Sequence, residues 1–298
     1  MGILEHKVLV IGLPGTGKTT FLAALWDVVG SGEVEGALQL ERLSGDKQHL
    51  NEIRDLWADC NKIPRTRLPN ERIVSMALRD SQTNACSEVF FPDMDGESFE
   101  HQWTERVWTT EYEKLVAESS GALLFVHPAT VNEAALIRDA QPLIKRIAEE
   151  PGREAGTRAE EKEELTGQQA VAYEPRYAAT QVQLVELLQL IRMRQPQGAD
   201  FRIGVIVSAW DIVLKLGKMT PEAWLETRLP LLNQYLHAST DIVPFRIYGV
   251  SAQGGELSEA QKIRKSHRSS DRIVVTCGQQ TSHDITVPVR WIMAIPDA

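Results

Sequence analysis

The chain has 298 residues, enough for one large domain or two small ones with a substantial core. Its apolar fraction of 43% and charged fraction of 24% are those of an ordinary soluble globular protein. A net charge of −9 argues against a general nucleic-acid binder, and Cys60, Cys86 and Cys277 give neither a disulfide framework nor a metal cluster. No apolar run is long enough to span a bilayer, and the first apolar run begins too early for a signal peptide. The expected compartment is a reducing cytoplasm.

Lys7-Val8-Leu9-Val10-Ile11 is short, apolar and rich in β-branched residues, which predicts a buried strand. Gly12-Leu13-Pro14-Gly15-Thr16-Gly17-Lys18-Thr19 follows at once. A helix is predicted next, with Phe21, Leu22, Leu25 and Val29 at helical spacing and Gly30 and Gly32 to stop it. Residues 36–43 have no clear type. Residues 46–60 read as a helix with Leu50, Ile53 and Leu56/Trp57 on one stripe, followed by a proline-bounded loop from Pro64 to Pro69. Two strands, 72–78 and 86–91, flank the polar turn Asp80-Ser81-Gln82-Thr83-Asn84. A helix over 97–119 carries Trp103, Val107, Trp108, Tyr112, Leu115 and Val116.

Strand 121–126 precedes a helix over 132–149, then an acidic stretch near 150–175 with too little apolar surface to order itself, a mobile insertion. A helix over 177–193 follows, with Val182, Val185, Leu188 and Ile191 in register. Strand 203–207, a mostly helical stretch 221–238 and strand 245–250 complete the alternation. From Gly254 on lies a C-terminal extension with a basic cluster (Lys262, Arg264, Lys265, His267, Arg268), one more strand near 272–276 and a short helix near 289–293. Alternating strands and helices predict one α/β domain over 1–298, with a mainly parallel central sheet of about six strands and helices on both faces.

The eight residues Gly12 to Thr19 fit the pattern G-x-x-x-x-G-K-[ST], between a predicted strand and a predicted helix. Such a loop curls so that successive N–H groups and the helix N-terminus converge on one anion. Pro14, Gly15, Thr16, Gly17, Lys18, Thr19 and Thr20 are therefore candidate nucleotide-binding residues. Lys18 would reach the β- and γ-phosphates, and the Thr19 hydroxyl would ligate Mg²⁺.

Three further signals fall after predicted strands. Asp93-Met94-Asp95-Gly96 supplies an acid for Mg²⁺ and a glycine whose N–H can approach a γ-phosphate, although Asp-x-x-Gly is also a common turn. Ser208-Ala209-Trp210-Asp211 supplies a carboxylate able to accept from guanine N1–H and its exocyclic amine. Ser251-Ala252 offers a backbone N–H to the guanine carbonyl oxygen. Carboxyl ends of successive parallel strands are where ligands bind in such sheets.

The series Gly12–Thr19, Asp93–Gly96, Asp211 and Ser251-Ala252 resembles the first, third, fourth and fifth motifs of Ras-like P-loop GTPases of the TRAFAC class, over about residues 5–253. More narrowly, the helical segment before Thr66 and the stretch Gly121–Pro128 are similar to bacterial double-GTPase-type domains of conflict and defence systems. The resemblance implies a GTP/GDP-binding switch with slow Mg²⁺-dependent hydrolysis, acting on an effector protein whose identity it leaves open. It departs from the family at two places. Ser208 and Ala209 replace the usual Asn/Thr-Lys, so the lysine that packs on the base is missing. Glu97 stands where a water-orienting glutamine is common, or else only favours a helix dipole. The switch threonine is assigned to Thr66 over Thr83, with Arg65 or Arg67 as an arginine finger or merely an exposed side chain. Lys18, Gly96, Glu97 and Thr66 are thus the catalytic candidates, and Thr19, Asp93 and Thr66 the metal candidates. A P-loop ATPase and a nucleotide-binding scaffold without turnover are the alternative functions.

Overall fold

A computed structural model describes residues 4–64, 73–92, 103, 105, 107–133, 178–196, 198–239, 243–264 and 268–295. Its centre is one sheet. Strand β1 (Leu4–Gly12) is flanked by β4 (Cys86–Pro92) and β5 (Gly121–Val126), and beyond β5 lie β6 (Arg202–Ser208) and β7 (Phe245–Ser251). These five strands run parallel to one another. On one flank β3 (Ile73–Arg79) and β2 (Gln39–Ser44) pair antiparallel; on the other, β8 (Val274–Cys277) and β9 (Gln280–Ser282) do the same. The α/β class is as predicted. The sheet, however, is mixed, with nine strands among the described residues where about six were expected.

Strand alternation builds two cores, because successive side chains point to opposite faces. In β1, Val8 and Val10 join the cluster under α1 (Lys18–Ser31) and α2 (Lys47–Ala58). Leu9 and Ile11 join the other cluster, under α3 (Thr110–Ala117) and α4 (Thr180–Arg194). That second face is also covered by α5 (Trp210–Leu216), α6 (Pro221–Arg228) and α7 (Pro230–Ala238). The C-terminal extension enters the first core: Val289, Trp291 and Ile292 of α9 (Val287–Ile292) are buried there. A four-residue helix, α8 (Ala260–Ile263), precedes β8.

Helix α1 runs through Gly30 and stops at Gly32, whose N–H bonds back to the Val28 carbonyl at 3.1 Å. Its Phe21 ring meets Phe125 of β5 edge-on, centroids 5.1 Å apart. Full burial of such a ring contributes about 1.5–3 kcal/mol. Helix α2 starts at Asp46, whose carboxylate accepts from the Gln48 and His49 amides, and it buries Leu50, Ile53 and Trp57.

One expectation needs correction, and two others gain detail. In α4 the buried stripe is Leu184, Leu187, Leu188 and Ile191, while Val182 is exposed, so the register is rotated. The stretch 221–238 is two helices, broken where Leu229 precedes Pro230. Residues 36–43 include most of β2, an edge strand whose burial pattern contains no fully buried position. Much of the predicted helix over 132–149, the insertion near 150–175 and the basic residues Lys265 and His267 lie outside the described residues.

Candidate functional site

The carboxyl ends of the parallel strands stand side by side. Gly12 pairs with Phe125, Val126 with Val207, and Ser208 with Val250. At this edge the loop after β1 turns into α1. Gly12 has φ 143° and Gly17 φ 88°, values that L side chains rarely adopt. Contact reinforces the geometry: a Cβ on Gly12 would lie 2.6 Å from the Phe125 carbonyl oxygen, and one on Gly17 would lie 3.2 Å from Ser208. The Thr16 hydroxyl donates to the Leu13 carbonyl at 2.8 Å and closes the turn. Lys18 Nζ donates to the carbonyls of Gly12 and Leu13, at 2.7 and 2.9 Å, which draws the ammonium across the mouth of the loop. Pro14 and Gly15 are exposed at the lip, and Thr19 and Thr20 are half-buried in the first turn of α1. Lys18 also shares a small cleft with Pro92 at the end of β4 and with Tyr112 of α3, whose phenol burial pushes to a higher pKa.

The far side of the edge holds the carboxylate. Ser208 ends β6 buried, its hydroxyl donating to the Val126 carbonyl at 3.1 Å. Ala209 then adopts left-handed backbone (φ 45°, ψ 44°) and turns the chain into α5. Trp210 is wholly buried as the first residue of that helix, which makes it core and not a base-stacking ring. Asp211, one residue on, accepts from the Ser251 hydroxyl at 2.5 Å, and the same hydroxyl accepts from the Gly254 amide at 3.2 Å. The two strand-end signals, 40 positions apart in the chain, are thereby joined. His127, after β5, is near enough to Asp211 to feel its charge. Burial pulls the imidazole pKa below its ordinary value, and the Asp211 carboxylate opposes that shift.

The assigned residues thus divide. Pro14, Gly15, Thr16, Gly17, Lys18, Thr19, Thr20, Asp211, Ser251 and Ala252 lie along one edge of the sheet. Thr66, Asp93, Gly96 and Glu97, with Arg65 and Arg67, lie outside the described residues. Thr83 is tied to Asp80 in the β3–β4 hairpin. Cys86, which opens β4 there, pairs with Leu4 at the start of β1, so the hairpin is at the opposite end of the sheet from Gly12. Sequence reasoning missed His127 and the contact of Ser208 with the phosphate loop. Ser208 registered only as a departure from a motif, and nothing local marks His127.

Among the described residues no group of three His, Cys, Asp or Glu side chains is placed to hold a metal by itself. The hydroxyl of Thr19 is a hard oxygen donor at the first turn of a helix. That fits Mg²⁺, which takes one or two protein oxygens and fills its octahedron with phosphate and water. Among those residues, too, no helix is long and apolar enough to cross a membrane.

Comparison with known proteins adds to this geometry. The profile of the Double-GTPase 1 family matches residues 9–292. Among solved structures the chain is similar to a bacterial selenocysteine-specific elongation factor, EF-Sec, at 13% identity and a TM-score of 0.38, over 89% of this chain and 28% of that one. It is also similar to the signal recognition particle receptor SRb-GTP/SRX complex from Chaetomium thermophilum, at 9% identity and a TM-score of 0.37, over 89% of this chain and 98% of that one. The chain therefore spans about 28% of the elongation factor's length. No curated protein matches it.

Proposed function

Because the chain belongs to the Double-GTPase 1 family, whose members are GTPases and so bind GTP or GDP, we propose that it is a GTP-dependent switch with slow Mg²⁺-dependent hydrolysis, controlling a partner protein from the cytoplasm. The observation that carries the guanine reading is the Asp211 carboxylate fixed by Ser251, on the same sheet edge as the phosphate loop. A carboxylate pinned by one hydroxyl keeps lone pairs for the N1–H and exocyclic amine of guanine. Adenine, with an acceptor at N1, meets it with a repulsive contact.

In this reading Gly15, Gly17 and Lys18 hold the phosphates. Thr19, with Asp93 just past the end of β4 and Thr66 a few residues ahead of β3, would hold Mg²⁺, which when bound neutralises charge between the β- and γ-oxygens. The Gly96 amide senses the γ-phosphate. Glu97, in the position of a water-orienting glutamine, brings a negative charge toward that phosphate and slows the attack. Ordering of the loops around Thr66 and Gly96 by the triphosphate is what the partner reads. The C-terminal segment from residue 254 on belongs to the same domain.

Asp211→Asn tests the base site. An amide offers one acceptor and one donor, which matches xanthine. GDP affinity is expected to fall about 10- to 100-fold, the cost of one or two hydrogen bonds to a charged group, while xanthosine diphosphate gains. Unchanged GDP affinity in a competition titration would remove Asp211 from the base site. Wild-type protein on which ATP displaces GDP as well as GTP does would select the ATPase alternative, to which the missing motif lysine at Ala209 points.

A further inference from the structure

The turn that carries Ser251 and Ala252 is held from outside the phosphate loop, by α2 and the C-terminal extension. Trp57, wholly buried near the end of α2, donates its indole N–H to the Ala252 carbonyl at 2.9 Å. Gln253 returns the contact, its amide donating to the Trp57 carbonyl at 3.2 Å. Behind them lies the Arg272 guanidinium, only 8% exposed and centred 4.0 Å from the Trp57 ring. It donates to the Trp57 carbonyl at 2.6 Å and to the Ala58 carbonyl at 3.2 Å, and it contacts Cys60 Sγ at 3.1 Å. These carbonyls end α2; that of Trp57 also accepts from the Cys60 amide at 3.0 Å, and the cation adds its charge at the negative end of the helix dipole. Gly254 packs on the Arg272 main chain so closely that a Cβ there would lie 2.5 Å from its carbonyl oxygen.

We propose that Trp57 and Arg272 are positioning residues for the nucleotide base: they clamp the 251–254 turn, and through the Ser251 hydroxyl they fix the Asp211 carboxylate in its base-reading orientation. This rests on the reading of Asp211 and Ser251-Ala252 as the base side. Neither residue lies on β1 or α1, which carry the phosphate loop, and their hydrogen bonds go to the base-side turn and the end of α2, so the clamp's direct contacts are on the base half of the site. It also makes α2 and the C-terminal extension a working part of nucleotide selection. A site positioned by buried, fully packed groups discriminates more sharply than one held by a free turn.

The test separates the two halves of the ligand, using the full chain and two probes, GDP and inorganic tripolyphosphate. Trp57→Phe keeps the ring and removes the N–H; Arg272→Lys keeps the charge and loses the planar fork. Each variant is expected to bind GDP about 5- to 20-fold more weakly, roughly the loss of one or two buried hydrogen bonds, with tripolyphosphate affinity unchanged within about twofold. A parallel loss for both probes would mean a general structural defect and would overturn the clamp. Unchanged GDP binding in both variants would overturn it as well. Wild-type protein that binds GDP no more tightly than tripolyphosphate would instead sink the base-site reading beneath it.

Discussion

Lys18→Ala is expected to weaken guanine nucleotide binding by about a hundredfold or more, the loss of one or two charge-assisted hydrogen bonds at a phosphate. The effect originates in the loop. Gly12 and Gly17 bend the backbone so that the amides at the start of α1 converge, but the amides alone carry only partial charge. Lys18 supplies the full charge, and its ammonium already lies across the loop mouth on the Gly12 and Leu13 carbonyls. Those two bonds contribute little to folding because the side chain is half-exposed, so the thermal midpoint should stay within about 3 °C of wild type. Titration of a fluorescent GDP analogue, with a melting curve on the same sample, checks both halves. Tight binding by the variant would remove the loop from the site.

The second large effect is expected on the base side of the site. Gly249 lies in β7 directly beneath Trp210: a Cβ at this position would sit 2.3–2.5 Å from three indole carbons. Trp210 is wholly buried and heads α5, so the ring has no room to withdraw. Gly249→Ala should therefore cost about 1–3 kcal/mol by overpacking, roughly 3–10 °C in melting temperature. A functional loss should accompany it, because Asp211 is the next residue after Trp210 and any shift of the indole moves the carboxylate. Guanine preference should drop while tripolyphosphate binding holds. Combining it with Trp210→Leu should recover part of the stability, a non-additive pair expected of side chains in contact. A variant that melts within about 1 °C of wild type would contradict the packing described here.

What the sequence made legible was local and periodic. β5 and β6 are nearly unbroken apolar runs, and both are found within a residue or two of their predicted limits. The phosphate loop was legible because eight adjacent residues carry it. β2 was not, since an edge strand can be polar on both faces and leaves no alternation to read. The rotated stripe of α4 has a related cause: Thr180 and Gln183 are buried through hydrogen bonds that an apolar count ignores. The site's support was the least legible part. Trp57 and Ala252 are 195 positions apart and Trp57 and Arg272 215, so only the folded sheet brings them together. Trp57 read as one more member of a helical stripe, and Arg272 as the start of a strand.

A guanine site at the carboxyl edge of the sheet must separate GTP from ATP. Displacement of a bound fluorescent GDP analogue, with Mg²⁺ present, by GTP and separately by ATP tests it most directly. GTP should displace the analogue at a concentration at least about a hundredfold lower than ATP, the discrimination expected when a half-buried, hydrogen-bonded carboxylate is matched by one purine and opposed by the other. Displacement by ATP at the same concentration as GTP would contradict it.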